Sequence, residues 1–421
     1  MSDADLRQLE RDTERAPLEP RVWLAHAQAA LRTGAGAHAV ASFYRAAALG
    51  GDLTETRRGL RALGAPPTPW GHPFGDSRRT RCSPLRGPRK GEVVARAKPS
   101  FGCWGFALAE EGTVHCCGDA RGMGARLEGR TLASLPDILE ARKVEAAAGE
   151  GIVVLRRDDA PSVPELRVIR EGLVETIGSP GEPEFANEPV IQGESLIVRR
   201  VREDGSAFCE VRAISSPRAV KRVLEDIPFY SHLATSPEEI VVASMGERPS
   251  LTSLSWTGER RERFPLAGWL ESGPVIDALG RILTVVLENG EWLLAACEGR
   301  TESWRHVSAR GTSGRRGFAS IAATPDGGVW LKTEAKLTRL DRDGSVRWSG
   351  TGGWGVPVAD REGVVYSHQA PNEDERSLEA RAPDGSLIFS IPGNYYPHAI
   401  DAWGRLLATD SAGHCEVIAV T

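Results

Sequence analysis

The chain has 421 residues, 41% of them apolar and 26% charged, with a net charge of −5 at pH 7. That length exceeds one ordinary core unless the core repeats. No apolar run approaches the length that spans a bilayer, and the acidic balance argues against a nucleic-acid surface spread over the whole molecule.

The opening stretch, MSDADLRQLERDTERAP, is charged throughout and has no apolar segment of a secretory signal. The expected compartment is the cytoplasm, and the seven Cys are then expected to be reduced thiols. Arginine far outnumbers lysine, a skew expected of a GC-rich bacterial genome.

Residues 3–64 carry the helical period. EPRVWLAHAQAALRTG opens at Pro20 and stops at Gly34, the Pro-in, Gly-out punctuation of a helix. AHAVASFYRAAALGG predicts a second helix ending at Gly50-Gly51. DLTETRRGLRAL predicts a third with Leu53, Leu60 and Leu63 for packing, and residues 3–16 a preceding one. Trp23, Ala27, Ala30, Ala39, Phe43 and Ala46 lie at spacings that resemble the tetratricopeptide repeat. His26 and Ala30 depart from that family's usual Leu and Tyr, so the match is one imperfect repeat. The resemblance implies neighbouring helices that bury its faces and a groove for a protein ligand.

Residues 65–91 hold six prolines and no periodicity, which reads as a linker. Its concentrated positive charge, Arg78, Arg79, Arg81, Arg86, Arg89 and Lys90, suits an acidic protein face or nucleic acid. Trp70 and Phe74 are expected to dock on the neighbouring domains.

From residue 92 the period becomes two. Short apolar strands such as EVVARA, SLIVRRV, RILTVVL, GVWLKT and RLLATD recur between Gly-containing turns: REDG, DALG, DRDG, DREG, APDG and DAWG. Gly supplies the positive φ of a tight turn and Asp braces it. The equivalent Asp277, Asp326, Asp360 and Asp401 are spaced 49, 34 and 41 residues apart, close to the length of a four-stranded propeller blade. The same phasing predicts units starting near 100, 146, 188, 231, 273, 318, 355 and 397. The last lacks one strand, which EVVARA at 92–97 would supply, removing an exposed sheet edge.

The first unit, SFGCWGFALAEEGTVHCCGDARGMG, resembles a repeat of the RCC1 propeller family at Ala107-Leu108, Gly112-Thr113-Val114, Cys116, Gly118-Asp119 and the Gly122/Gly124 tail. It departs at Trp104 and Cys117. The later units resemble quinoprotein-type and NHL-type bacterial propellers, signals that specify fold rather than activity. His115-Cys116-Cys117 with Cys103 raises the question of a metal. Neighbours on a strand point to opposite faces, so Cys116 and Cys117 do not easily join one tetrahedral site. The vicinal disulfide of quinoprotein dehydrogenases is a second reading, but the chain lacks their length. No metal, cofactor or phosphate loop is expected.

The expected architecture is mainly β: an eight-bladed, alternatively seven-bladed, β-propeller at 92–421, preceded by a tetratricopeptide-like helical domain at 1–64 and the linker at 65–91. The leading functional expectation is a non-enzymatic adaptor that binds protein partners through the helical groove and a propeller face. The interaction residues are Arg78, Arg79, Arg81, Arg86, Trp70, Tyr395, Tyr396 and His398. Nucleic acid is not the expected partner. The mixed repeats also resemble propellers that accompany AAA+ ATPases in bacterial conflict or stress systems. Two alternatives stand beside the adaptor. One is a lyase or hydrolase with His398 as base at the channel mouth; the other is an RCC1-like regulator of a GTPase or nucleic acid.

Overall fold

A computed structural model describes residues 3–71, 75–76, 78–97, 103–118, 124–128, 131–134, 143–149, 152–158, 165–170, 173–178, 182–227, 231–244, 249–266, 268–270, 272–298, 301–310, 319–372, 375–410 and 416–421. The chain opens with four helices: α1 (Asp3–Arg15), α2 (Pro20–Arg32), α3 (Gly36–Ala48) and α4 (Leu53–Ala62). Pro20 sits at the first position of α2, where its missing N–H costs nothing. Asp52 caps α4 by accepting the Glu55 N–H at 3.0 Å, satisfying one of the orphan donors of a helix start. Ala27, Ala30, Ala39 and Phe43 form a shared buried core. Gly59 allows α4 to join it, because a Cβ there would overlap the Phe43 ring.

Among the described residues the strands form seven sheets, five of four strands, one of five and one of eight. None closes on itself. The four-stranded sheets are antiparallel meanders except at the chain ends, where Val93–Ala97 pairs antiparallel with Val417–Val420. The eight-stranded sheet comprises two groups of four, Cys103–Leu108 through Thr131–Ser134 and Lys143–Gly149 through Leu173–Ile177, joined at the single pair Gly118↔Val144.

The hairpins follow from the turn chemistry. In the turn after Val275–Ile276, Asp277 Oδ1 accepts the N–H groups of Leu279 and Arg281, both at 2.9 Å. Oδ2 takes the Arg281 Nε at 2.7 Å, while Gly280 has φ +77°. Asp401 repeats this with Trp403 and Arg405, at 2.9, 2.9 and 2.8 Å. A buried carboxylate thus finds the hydrogen-bond donors that its burial requires.

Alternation along the strands places residues on both sides of each sheet into different cores. On Ile282–Glu288, Leu283 and Val285 pack with Ile321 and Leu331 of the following sheet. Ile282 and Val286 pack with Val241 and Leu251 of the preceding one. A strand buried on both faces explains why the runs read apolar throughout rather than half polar. One large cluster joins Ile400 and Leu406 of the last sheet, Phe106 and Leu108 of the first, and Phe43, Tyr44 and Leu60 of the helices.

The segment between helices and sheets is pinned along its course. The carbonyls of Trp70, Gly71, Arg78, Thr80 and Arg81 accept the N–H groups of Leu108, Ala148, Ile276, Ala323 and Ala359, at 2.7 to 3.0 Å. Each of those donors stands at or next to the end of a strand that opens a sheet unit, Val275–Ile276 being the second of two short strands that pair with Ile282–Glu288. The segment is therefore a strap laid across five strand ends, satisfying N–H groups that their own ladders leave open. It then engages Asp360. This Asp braces its turn as Asp277 does, through Glu362 and Val364 N–H at 2.9 and 3.0 Å. Val364 stands where the other two turns have Arg, and Arg89 of the strap supplies the guanidinium instead, at 2.7 Å from Asp360 Oδ2. Gly87 N–H and the Tyr366 hydroxyl donate to the same oxygen at 2.9 and 3.2 Å.

The helices dock on the same end of the strands. Arg57 on α4 pairs with the buried Glu110 at 2.6 Å. Tyr44 donates to the Pro66 carbonyl at 2.7 Å, Arg361 to the Ala37 carbonyl at 3.1 Å. Trp23 of α2 meets Trp403 edge to face at 5.9 Å between ring centroids.

Candidate interaction surfaces

The docked helices divide the molecule into two ends. At one, the turns at 110–112, 361 and 401–404 meet the helices. At the other lie the starts of the first strands, including Tyr395 of Tyr395–Ile400. A six-residue strand separates the two by about 20 Å.

Most of the strap's side chains face inward. Trp70 is 1% exposed in the shared core. Arg79 is buried in a left-handed conformation, φ 62°, so close to Gly273 that a Cβ there would lie 2.8 Å from its guanidinium carbon. Arg81, at φ 53°, donates to Ser320 Oγ at 2.9 Å. Asp76 holds the turn by accepting the Thr80 N–H and hydroxyl at 3.0 and 3.1 Å, and burial raises its pKa. Arg78 is half-buried. Arg86 is the one of these arginines with a largely exposed side chain, 3.3 Å from Glu362. Phe74 lies outside the described residues.

At the far end, Tyr395 accepts a hydrogen bond from Arg96 at 3.3 Å, which also pairs with Glu416 at 2.6 Å. Tyr396 stacks on His368 with centroids 4.6 Å apart and covers Gly355, where a Cβ would lie 2.3 Å from its ring. Beside it Trp354 is 53% exposed. Beneath, the fully buried Lys332 donates to the Trp354 and His368 carbonyls at 2.8 and 2.6 Å. Burial holds that ammonium well below its usual pKa. Burial, with Lys332 adding, lowers His368 to about 4. The sequence reading missed Trp354, His368 and Lys332. Only the Gly-flanked Trp of TGGWGV signals an exposed aromatic, and nothing local marks the other two.

His398 lies two residues along the strand from Tyr396 but inside the protein. Its Nε2 is 2.7 Å from Thr409 Oγ1, and Phe106 meets it edge on at 5.2 Å. Burial, with Arg81 adding, depresses its pKa to about 3. The ring is therefore neutral at pH 7 and serves as a hydrogen-bonded core group. The structure thus places Tyr395 against Arg96 and Tyr396 against His368, on opposite faces of their strand at one end of the molecule, sends His398 and Trp70 into the core, and lays the arginines along the strap at the other end.

Cys82, Cys209 and Cys297 are free thiols, and burial raises Cys209 to about 12. The side chains of Cys103, His115, Cys116 and Cys117 lie outside the described residues. Among the described residues no group of three or more His, Cys, Asp or Glu side chains is placed to hold a metal, and no helix is long and apolar enough to cross a membrane.

No family model and no curated protein matches the chain. Among solved structures the chain is similar to the Dos1 propeller, with a TM-score of 0.57 and 9% sequence identity over 79% of this chain and 95% of that one. That likeness shows the fold: a mainly β, propeller-like body with a short helical region before it.

Proposed function

We propose that the protein is a non-enzymatic interaction module, an adaptor that holds two binding surfaces at opposite ends of one propeller. The observation that carries this reading is the exposed Trp354 at the same end as the half-buried Tyr395 and Tyr396, with the buried His368 and Lys332 beneath. Aromatic side chains on a preorganised support are the residues that dominate protein interfaces. The propeller fold, which hosts many interaction modules, adds to it.

In this reading the eight-stranded sheet counts as two blades, which gives eight in all, with Val93–Ala97 completing the last. The helices are a tetratricopeptide-like hand, the first unit is RCC1-like, and the setting is the bacterial cytoplasm. The partner is a protein.

The test is cross-linked capture with the intact chain and with the triple variant Trp354→Ser, Tyr395→Ser, Tyr396→Ser, each checked for an unchanged circular dichroism spectrum. A protein partner retained by the parent chain and lost by the variant supports the reading. Equal capture by both overturns the assignment of that face.

A further inference from the structure

The turns that meet the helices enclose, with α1 to α3, a cleft of about 490 Å³, within the size range of small-molecule sites. Arg45 of α3 lines it. Its guanidinium lies over the Trp23 ring at 4.7 Å and within 5.6 Å of the Trp403 ring. Two aromatic faces fix a cation's orientation without neutralising it. Among the described residues no carboxylate reaches Arg45 within ion-pair distance, and its Nε is sealed from solvent with no hydrogen-bond partner. Asp401, the nearest acidic influence on it, is occupied by Arg405 and by the turn's N–H groups. Burial accordingly lowers the Arg45 pKa. A largely desolvated guanidinium with no protein carboxylate beside it is costly to keep, which makes Arg45 the group that an anionic ligand would meet.

A second group points the same way. His26 is 4% exposed and also lines the cleft. Its Nδ1 is 2.8 Å from Ser42 Oγ, while Nε2 is buried without a partner. In the tautomer whose Nδ1 accepts a hydrogen bond from the Ser42 hydroxyl, the neutral ring carries its proton on Nε2, a donor that no protein group among the described residues uses. The cleft carries both signs of charge: Arg86 and Arg361 line it as well, and so do Glu10 and Glu14 of α1, one helical turn apart. These two carboxylates would repel a polyanion and favour a ligand with a positive end.

We propose that this cleft binds a small zwitterion, its carboxylate on Arg45 and its ammonium toward Glu10 and Glu14. A planar carboxylate matches the guanidinium fork, and the acidic side chains of α1 give the positive end of the ligand a partner of its own.

The experiment is isothermal titration of the full chain with four probes of one chain length: 5-aminopentanoate, norvaline, pentanoate and pentylamine. The amino acid with separated charges is expected to bind best, pentanoate about tenfold or more weaker, and pentylamine not measurably. Arg45→Gln is expected to lose 5-aminopentanoate binding while keeping or raising the melting temperature, because it removes an unpaired buried charge. Glu14→Gln is expected to reduce the preference for 5-aminopentanoate over pentanoate and to leave pentanoate binding in place. Absence of binding by all four probes at millimolar concentration overturns the proposal. So does equal binding by folded Arg45→Gln. The site lies at the opposite end from Trp354, so either outcome is independent of partner capture there.

Discussion

Two hairpin turns carry almost the same carboxylate chemistry but draw it from different places. At Asp401 the turn is self-sufficient, since Arg405, four residues on, supplies the guanidinium at 2.8 Å. At Asp360 the corresponding residue is Val364, and the guanidinium comes from Arg89, 271 residues away in the chain, at 2.7 Å. The first turn forms with its own hairpin. The second is complete only when the strap has been laid in place. The same structural need is met locally in one case and globally in the other, and the global solution ties the helical region to the sheets.

The largest effect is expected from breaking the strap-dependent turn at its centre. Asp360 is fully buried, and Asp360→Ala leaves the N–H groups of Gly87, Glu362 and Val364 without their acceptor. It also takes from Arg89 its buried carboxylate, so that Glu362, the Tyr366 hydroxyl and backbone carbonyls remain to it. A loss of about 3–5 kcal/mol is expected, read by urea denaturation. A loss under about 1 kcal/mol would show that the strap does not depend on this carboxylate.

Arg89→Ala sharpens the contrast. It removes charged hydrogen bonds at a partly exposed position, with an expected cost of about 2 kcal/mol. Limited proteolysis is expected to cut first within residues 78–90. Arg405→Ala, by comparison, is expected to destabilise the protein while leaving the strap resistant to early cleavage. Identical cleavage patterns for the two variants would refute the distinction.

The core histidine links the strap to pH. His398 has a folded pKa of about 3 against an ordinary 6.5. Below pH 6.5 the unfolded chain takes up a proton that the folded chain refuses until about pH 3. Its contribution is therefore full above 6.5 and falls, by up to about 1.4 kcal/mol per pH unit, across that window. His368, lowered to about 4, adds with the same sign. Urea midpoints at pH 7, 6 and 5 are expected to decline, and His398→Gln to flatten that decline. An unchanged slope in His398→Gln would exclude His398 as its source.

The smallest stability effect is expected at the far end. Trp354→Ala removes an exposed side chain and is expected to shift stability by no more than about 0.5 kcal/mol. A larger change, measured in the same urea series, would mean that Trp354 is part of the core rather than a free surface.

Much of the scaffold is legible in the sequence. The helix starts at Pro20 and Asp52 and the turns at Asp277 and Asp401 are decided by contacts within four residues. Units expected near 231 and 318 open on the strands Ser231–Thr235 and Ala319–Ala323. The candidate surfaces are legible only in part. Tyr395 and Tyr396 stand together on their strand, but the pattern does not show that His398, two positions on, sits against Phe106 rather than in a channel. Arg45 reads as an ordinary surface arginine of an amphipathic helix, because Trp403, which confines it, lies more than 350 residues away in the chain.

Residues close in the chain determined the helices and the rhythm of the hairpins, since turn geometry and alternating burial need only nearby partners. The tertiary structure alone decided the course of the strap's described residues, 70–71, 75–76 and 78–91. That segment is held largely through main-chain carbonyls accepting N–H groups at the ends of distant strands. Bonds of that kind make almost no demand on side-chain identity, and so a stretch rich in proline and arginine shows no periodicity while lying against five strand ends.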